Sequence, residues 1–225
     1  MTGVAAGPGR VHGVLDALIA RFAEGTHRAE ALRARAHYFT HSGQVFDDDA
    51  ELFETRMAAF AEWYVLEWPV DGRPAVLTAL AECAPADQAV LTALATSHRS
   101  LFHVDRVGEH EVELEDLLGG ARFIVAERRS TAGFELGQIV EARLVWDGER
   151  VVFARTFLFH PREAREAALD LVDRALEAGR DRDGIMFHLA RLHLRWYRGR
   201  NVPAERIYAA ERPGPEPGDV SASSS

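Results

Sequence analysis

His37 and His41 stand four residues apart, one turn of a helix, and this spacing can present two imidazoles to a single metal ion. Asp47, Asp48 and Asp49 follow closely and could fold back to supply a third ligand, which would give a metal-dependent hydrolase. Two features weigh against that chemistry. Ser42-Gly43 ends the helix at about Phe39, before His41 is securely placed, and acids at the start of the next helix are what its unpaired N–H groups favour. Asp48 with Glu51 has capping-box spacing. His188 and His193 are five apart and do not share a helical face. No metal ligand is assigned from the sequence.

Nucleophilic chemistry fares no better. No serine sits in a glycine-flanked elbow. Ser97-His98-Arg99-Ser100 holds both residue types of a triad, but adjacency in sequence is not triad geometry, and the segment reads as a helix-to-strand link. Gly119-Gly120 precedes a strand, whereas a phosphate cradle leads into a helix. Glu113 and Glu115 alternate as a solvated strand face would. All 26 Lys+Arg residues are arginine, so Schiff-base, lysine-base and phosphate-loop lysine mechanisms are unavailable. Cys83 is the only cysteine and excludes both an internal disulfide and a cysteine-rich zinc site; its surroundings read as a helix end with an inert thiol. No catalytic residue and no cofactor is expected.

One positively charged stretch remains, at the end of the last long helical pattern. Arg191, Arg195, Trp196, Tyr197 and Arg198 concentrate charge and two large aromatics in a chain of formal net charge -9, and form the candidate surface for a partner. The competing reading has the arginines complementing the helix dipole and pairing with the protein's own acids, with Trp196 in the core. The acidic balance disfavours nucleic acid and anionic membrane and leaves another protein as the expected partner, a second copy of the chain included. The opening residues lack the charged start of a signal peptide, and no apolar run approaches bilayer length, so a cytoplasmic protein is expected.

The elements that must position these residues divide into strands flanked by helices. Residues 97–161 carry apolar side chains at every second position. Strands are expected at 101–107, 111–114 and 122–127, then a hairpin turning at Trp146-Asp147-Gly148-Glu149, where Asp-Gly offers the positive φ angles of a tight turn. Val140, Ala142, Leu144 and Trp146 share one face of the incoming strand and Glu141 and Arg143 the other, so one side of it should be wet. Gly137 fits a bend at the entry to that strand. Five strands with short connections predict a small antiparallel sheet, open and curved or closed as a barrel.

Helices are expected at 11–24, ended by Gly25, then from a Thr26 cap to about Phe39, at 52–66, at 75–84, and at 85–96 with Pro85 in the first turn. Beyond the strands, Pro161 opens a helix to about Ala178, and Asp181 or Asp183 caps the last one, with Ile185, Leu189, Leu192 and Trp196 on one stripe. The layout is a flexible 1–10, a helical 11–98, a β module at 99–160, C-terminal helices at 161–211 and a disordered tail at 212–225 rich in Pro, Gly and Ser. The fold class is α+β, helices from both ends packing on a central antiparallel sheet. A non-enzymatic cytoplasmic binding or adaptor protein is the functional expectation, with the metal-dependent hydrolase and a nucleic-acid-binding barrel as alternatives.

Phe60-Ala61-Glu62-Trp63-Tyr64-Val65-Leu66, followed by residues 97–104, 112–123 and 137–144, resembles the body of uncharacterised bacterial proteins that often carry a SEC-C zinc motif. The zinc motif itself is absent, since Cys83 stands alone. The resemblance therefore implies no zinc or motif-borne partner, and the body by itself implies no assigned activity.

Overall fold

The computed structural model describes residues 8–46, 49, 51–127, 131–199 and 201–210. The first seven residues, the tail from 211, Asp47, Asp48 and Arg200, on which some of the expectations fall, lie outside the described residues.

Apolar residues at helical spacing build the first half. α1 (Pro8–Ala23) buries Val11, Leu15, Leu18 and Phe22 along one stripe. Gly25, at φ +61°, ends it, and Gly25–His27 forms a single 3-10 turn before α2 (Arg28–Ser42). Thr26 lies inside that turn; His27 holds the cap position and makes no side-chain cap bond, so the expected threonine cap is replaced by tighter backbone winding. α2 runs three residues past Phe39, because Gly43 adopts φ +95° and its N–H closes on the Phe39 carbonyl at 2.9 Å. α3 (Glu51–Leu66) lies against both, and its Tyr64 hydroxyl donates to the Phe22 carbonyl at 2.7 Å.

Asp71 (φ +53°) and Gly72 (φ +87°) form the two-residue turn between β1 (Pro69–Val70) and β2 (Arg73–Pro74). α4 (Ala75–Glu82) and α5 (Gln88–Ala95) follow. Pro85 precedes α5 by three residues, because the Asp87 N–H turns back to the Ala84 carbonyl and Arg10 grips the Ala86 carbonyl and Asp87.

Period-two alternation then produces β3 (His98–Val107), β4 (Glu111–Asp116), β5 (Arg122–Ala126), β6 (Ile139–Trp146) and β7 (Val151–Phe159). They close into a barrel in the order β3-β4-β5-β7-β6. Every pairing is antiparallel except β5 with β7, a parallel seam with only Val125↔Val151 and Ala126↔Val152 in register. The interior is a packed core, with Phe102, Val104, Val112, Leu114, Val140 and Leu144 inward and Phe134 from the β5–β6 connection stacked on Phe153 at 5.1 Å between centroids. In the β6–β7 hairpin only Gly148 takes a positive φ; Asp147 instead accepts from the Glu149 and Arg150 N–H groups at 3.0 Å each, making a longer connection than a two-residue turn.

α6 (Arg165–Glu177), α7 (Arg182–Arg198) and α8 (Ala204–Ala209) complete the chain, the last too short to leave a periodic signal. Asp181 is the α7 cap, accepting from the Gly184 N–H at 2.7 Å. Helices cover two flanks of the barrel. Val145, Val152, Ala154 and Leu158 join the core of α1 to α5, and Leu101 and Ile139 join that of α6 to α8. Apart from Ala126, the described residues of β4 and β5 join neither helical core, so those strands keep a solvated outer face. No helix among the described residues is long and apolar enough to cross a membrane.

A β-carbon added at Gly43 would lie 2.9 Å from Leu194 Cδ2 in a backbone region that side chains avoid. Gly43→Ala should lower stability by roughly 1–3 kcal/mol, read as a fall in the urea midpoint with an unchanged slope.

Candidate functional site

The pleat of β6 turns Glu141 and Arg143 away from the barrel interior, and the register Arg99↔Arg143 sets Arg99 of β3 beside them. This face is not wet, as the alternation alone would have it. The end of α3 and the start of α7 lie across it, and Arg143 is only 3 % exposed. Those helices answer the buried charges in kind. Arg99 makes a two-pronged contact with Glu67, Nε to Oε1 at 2.9 Å and Nη2 to Oε2 at 3.1 Å, and reaches Glu141 at 3.2 Å and Asp183. Arg143 donates to Glu67 and to Ser97 Oγ at 3.1 Å, and its Nε lies 3.8 Å from Glu62 Oε2. Trp63 Nε1 holds the other oxygen of Asp183 at 3.3 Å.

The four acids respond differently to one environment. Burial raises Glu67 too, but Arg143 and Arg99 outweigh it and bring the carboxyl down to about 2. Glu62, Glu141 and Asp183 are held above the usual carboxylate range, because burial exceeds the help that their arginines give. Arg99 loses by burial and gains more from Glu67, Glu141 and Asp183, so it stays firmly charged. Arg56 closes the cluster's far end by donating to the carbonyls of Ser42, Gly43 and Ala190 at 2.7, 3.1 and 3.0 Å, joining α2, α3 and α7.

Between these groups lies a cavity of about 20 Å³, walled by Tyr38, Arg56, Glu62, Arg99, Glu141 and Arg143. That is room for about one water. Arg56 Nε, Glu62 Oε1 and Arg143 Nε, all buried on its walls, have no hydrogen-bond partner among the described residues. A single bridging water matches both the space and the unmet atoms. A substrate does not fit. A wider open groove of about 280 Å³ runs between α1 and α4–α5 past Cys83, whose thiol donates to the Leu80 carbonyl at 3.2 Å.

His98 and Ser100 alternate onto one face of β3 and meet Asp116 of β4, so Ser, His and Asp do converge. The wiring is not that of a nucleophile. Asp116 takes His98 Nε2 at 2.7 Å and also takes the Ser100 hydroxyl, leaving no serine-to-histidine bond to activate the oxygen. The same carboxylate accepts from the Leu118 N–H at 3.0 Å, and a β-carbon on Gly119 would come within 2.7 Å of it. Burial raises Asp116, yet these hydrogen bonds bring it down to about 2. The trio fixes the β4–β5 turn.

His37 and His41 do share the longer α2, with ring centroids 4.3 Å apart, but the His41 Nδ1 is engaged by the His37 carbonyl at 2.8 Å and His37 stacks on Trp63. Asp49, the described member of the aspartate run, faces Arg198 rather than the histidines. The metal-capable group whose ligand atoms converge among the described residues is His103, Asp105 and Glu115, which helical spacing could not reveal because it forms across two strands. His193 faces His160 at 5.9 Å between centroids, while His188 lies on another side of α7. Burial lowers His160 to about 3 and His193 to about 4.

The α7 residues read as a partner surface occupy its last turns. Arg191 donates to the His41 carbonyl at 3.0 Å, Tyr197 Oη reaches the Asp49 carbonyl at 3.2 Å, and Trp196 packs beside His193. Arg198 binds both oxygens of Asp49, at 3.0 and 2.7 Å, and covers the Phe46 ring at 5.2 Å. Arg195 and Arg198 remain exposed to solvent.

Truncating Arg143 would leave Glu62 and Glu67 buried beside one arginine fewer. Arg143→Ala should cost about 3–5 kcal/mol in urea unfolding at neutral pH. His160 and His193 are buried neutral, so the native state resists the protons that the unfolded chain accepts. The stability they confer is complete above pH 6.5 and falls as pH drops through the window from 6.5 toward 4 and 3, at up to about 1.4 kcal/mol per pH unit for each histidine. A pH series of urea midpoints should show that fall, and His193→Phe should make it shallower while leaving the share of His160.

No curated protein and no solved structure matches the chain. Residues 29–183, running from α2 through the whole barrel to the first turn of α7 and so taking in every charged residue of the buried ion network, match the sequence model of the family of unknown function DUF7986, and the chain belongs to that family.

Proposed function

We propose that the protein is a non-enzymatic binding protein of the bacterial cytoplasm that works through protein contacts, using the C-terminal end of α7 and the Phe46 loop beside it. The observation that carries this reading is Phe46. The residue is 60 % exposed and its ring lies under the Arg198 guanidinium, at the arginine-bearing end of α7 in a chain that is otherwise acidic. Exposed aromatic rings beside arginine are the side chains that dominate protein interfaces. An acidic partner segment with one apolar residue complements the patch in charge and in surface.

The rest of the molecule supports binding over chemistry. Its buried acids face arginines, its serine–histidine–aspartate set holds a turn, and the cavity among its buried charges is of water size. The strands left uncovered by helices carry Glu111, Glu113 and Glu115 outward, which disfavours a phosphate backbone as ligand. The resemblance of residues 60–66, 97–104, 112–123 and 137–144 to SEC-C-associated bodies implies no activity of its own and leaves this reading unchanged.

Co-purification from the native cell at endogenous level tests it, with Phe46→Ala and Arg195→Glu as variants. An acidic protein should be recovered by the natural chain and depleted about tenfold by either change. Melting should be nearly unaffected by Phe46→Ala, since the ring is mostly in solvent. Equal recovery by all three proteins overturns the reading.

A further inference from the structure

β3 and β4 pair with His103 opposite Glu115 and Val104 opposite Leu114, but the next partners are Arg106 and Glu113. Asp105 is therefore the extra residue of a bulge. A bulge bends the strand and re-aims the side chain it carries. Here Asp105 Oδ1 lies 2.8 Å from His103 Nδ1. Glu115 joins from the neighbouring strand, so that one ligand atom from each of the three residues lies within 4.8 Å of the others.

The surroundings of this trio are unfinished. His103 Nε2 is buried without a hydrogen-bond partner among the described residues, so Asp105 is the polar contact that orients the ring. The cation facing the two carboxylates is Arg122, and it stays at 4.0 Å from Asp105 and 3.7 Å from Glu115, beyond hydrogen-bond reach, with its side chain 74 % exposed. Two partly buried carboxylates and an imidazole thus share one loosely held positive charge.

We propose that His103, Asp105 and Glu115 form a binding site for a divalent first-row transition ion, with Arg122 as the group that the ion displaces. One imidazole nitrogen and two carboxylate oxygens suit zinc and manganese better than calcium, which takes six or more oxygens. His103 Nδ1 and Asp105 Oδ1 are already as close as two ligands of one ion, so it is the wider separations, of up to 4.8 Å, that must shorten by about 1–2 Å around an ion with bonds of about 2.0–2.2 Å. Glu115, the most exposed of the three, can supply that movement by rotation. The site lies between β3 and β4, the second of which has no helical cover, and does not depend on the α7 surface proposed above.

Calorimetric titration of the untagged full chain, stripped with chelator, with zinc chloride tests the site. The natural chain should bind one ion. His103→Ala and Glu115→Gln should each weaken binding about tenfold or more. Arg122→Ala, which removes the competing guanidinium, should tighten it several-fold, a response that no merely structural role for the trio produces. His41→Ala should leave it unchanged. Absence of saturable binding, loss of binding in His41→Ala, or full binding in both ligand variants overturns the proposal. If His103→Ala does not fold by circular dichroism, the exposed Glu115→Gln and Arg122→Ala substitutions decide it alone.

Discussion

Two arginines on the outer face of the barrel, Arg99 and Arg143, set the terms on which the two halves of this protein meet. Left to water they would cost nothing. Once α3 and α7 cover them, each must find acids in fixed positions, because an unpaired buried charge is among the most expensive defects a fold can contain. Glu62, Glu67, Glu141 and Asp183 come from three separate elements to answer them. The helical layer therefore docks in one register only. Apolar contact alone, being non-directional, would allow the layer to slide.

The barrel beneath is able to bear that layer because its interior is filled. Ten closely packed apolar residues, with Phe134 inserted from a connecting segment, leave the strands little freedom to shift. Its weakest link is the parallel contact between β5 and β7, where Val152 and Ala126 reach the core of α1 to α5. Each flank carries a bulge, one at Asp105 between β3 and β4 and one near Arg143 between β6 and β7. The covered flank pairs charges to fasten helices, while the bare flank presents charges to solvent around His103, Asp105 and Glu115.

This division explains why residue types suggestive of catalysis do not assemble into it. Ser100, His98 and Asp116 meet, but the carboxylate sits in the middle and draws both partners to itself. His37 and His41 meet as well, inside an aromatic stack. Proximity is not chemistry unless the lone pairs and protons point toward a common reacting atom. On the outer surface, the Phe46 ring and Arg198 stand together at the end of α7.

Local pattern was enough to determine the α+β class, the five strands, the bend at Gly137 and most helix limits, since these follow from side-chain period and from residues that tolerate left-handed backbone. It also confined Trp196 and its arginine neighbours to one helix end. The fate of the polar face of β6 was not legible there. Alternation tells which side chains point together, and it is silent on whether water or another helix lies beyond them. Glu141 and Arg143 look like a solvated pair in sequence and are core residues in space, because Glu62, Glu67 and Asp183, which make their burial tolerable, are scattered from position 62 to position 183. The trio at Asp105 is of the same kind. It exists only because a bulge in one strand and the register of the next bring together atoms that no local spacing relates.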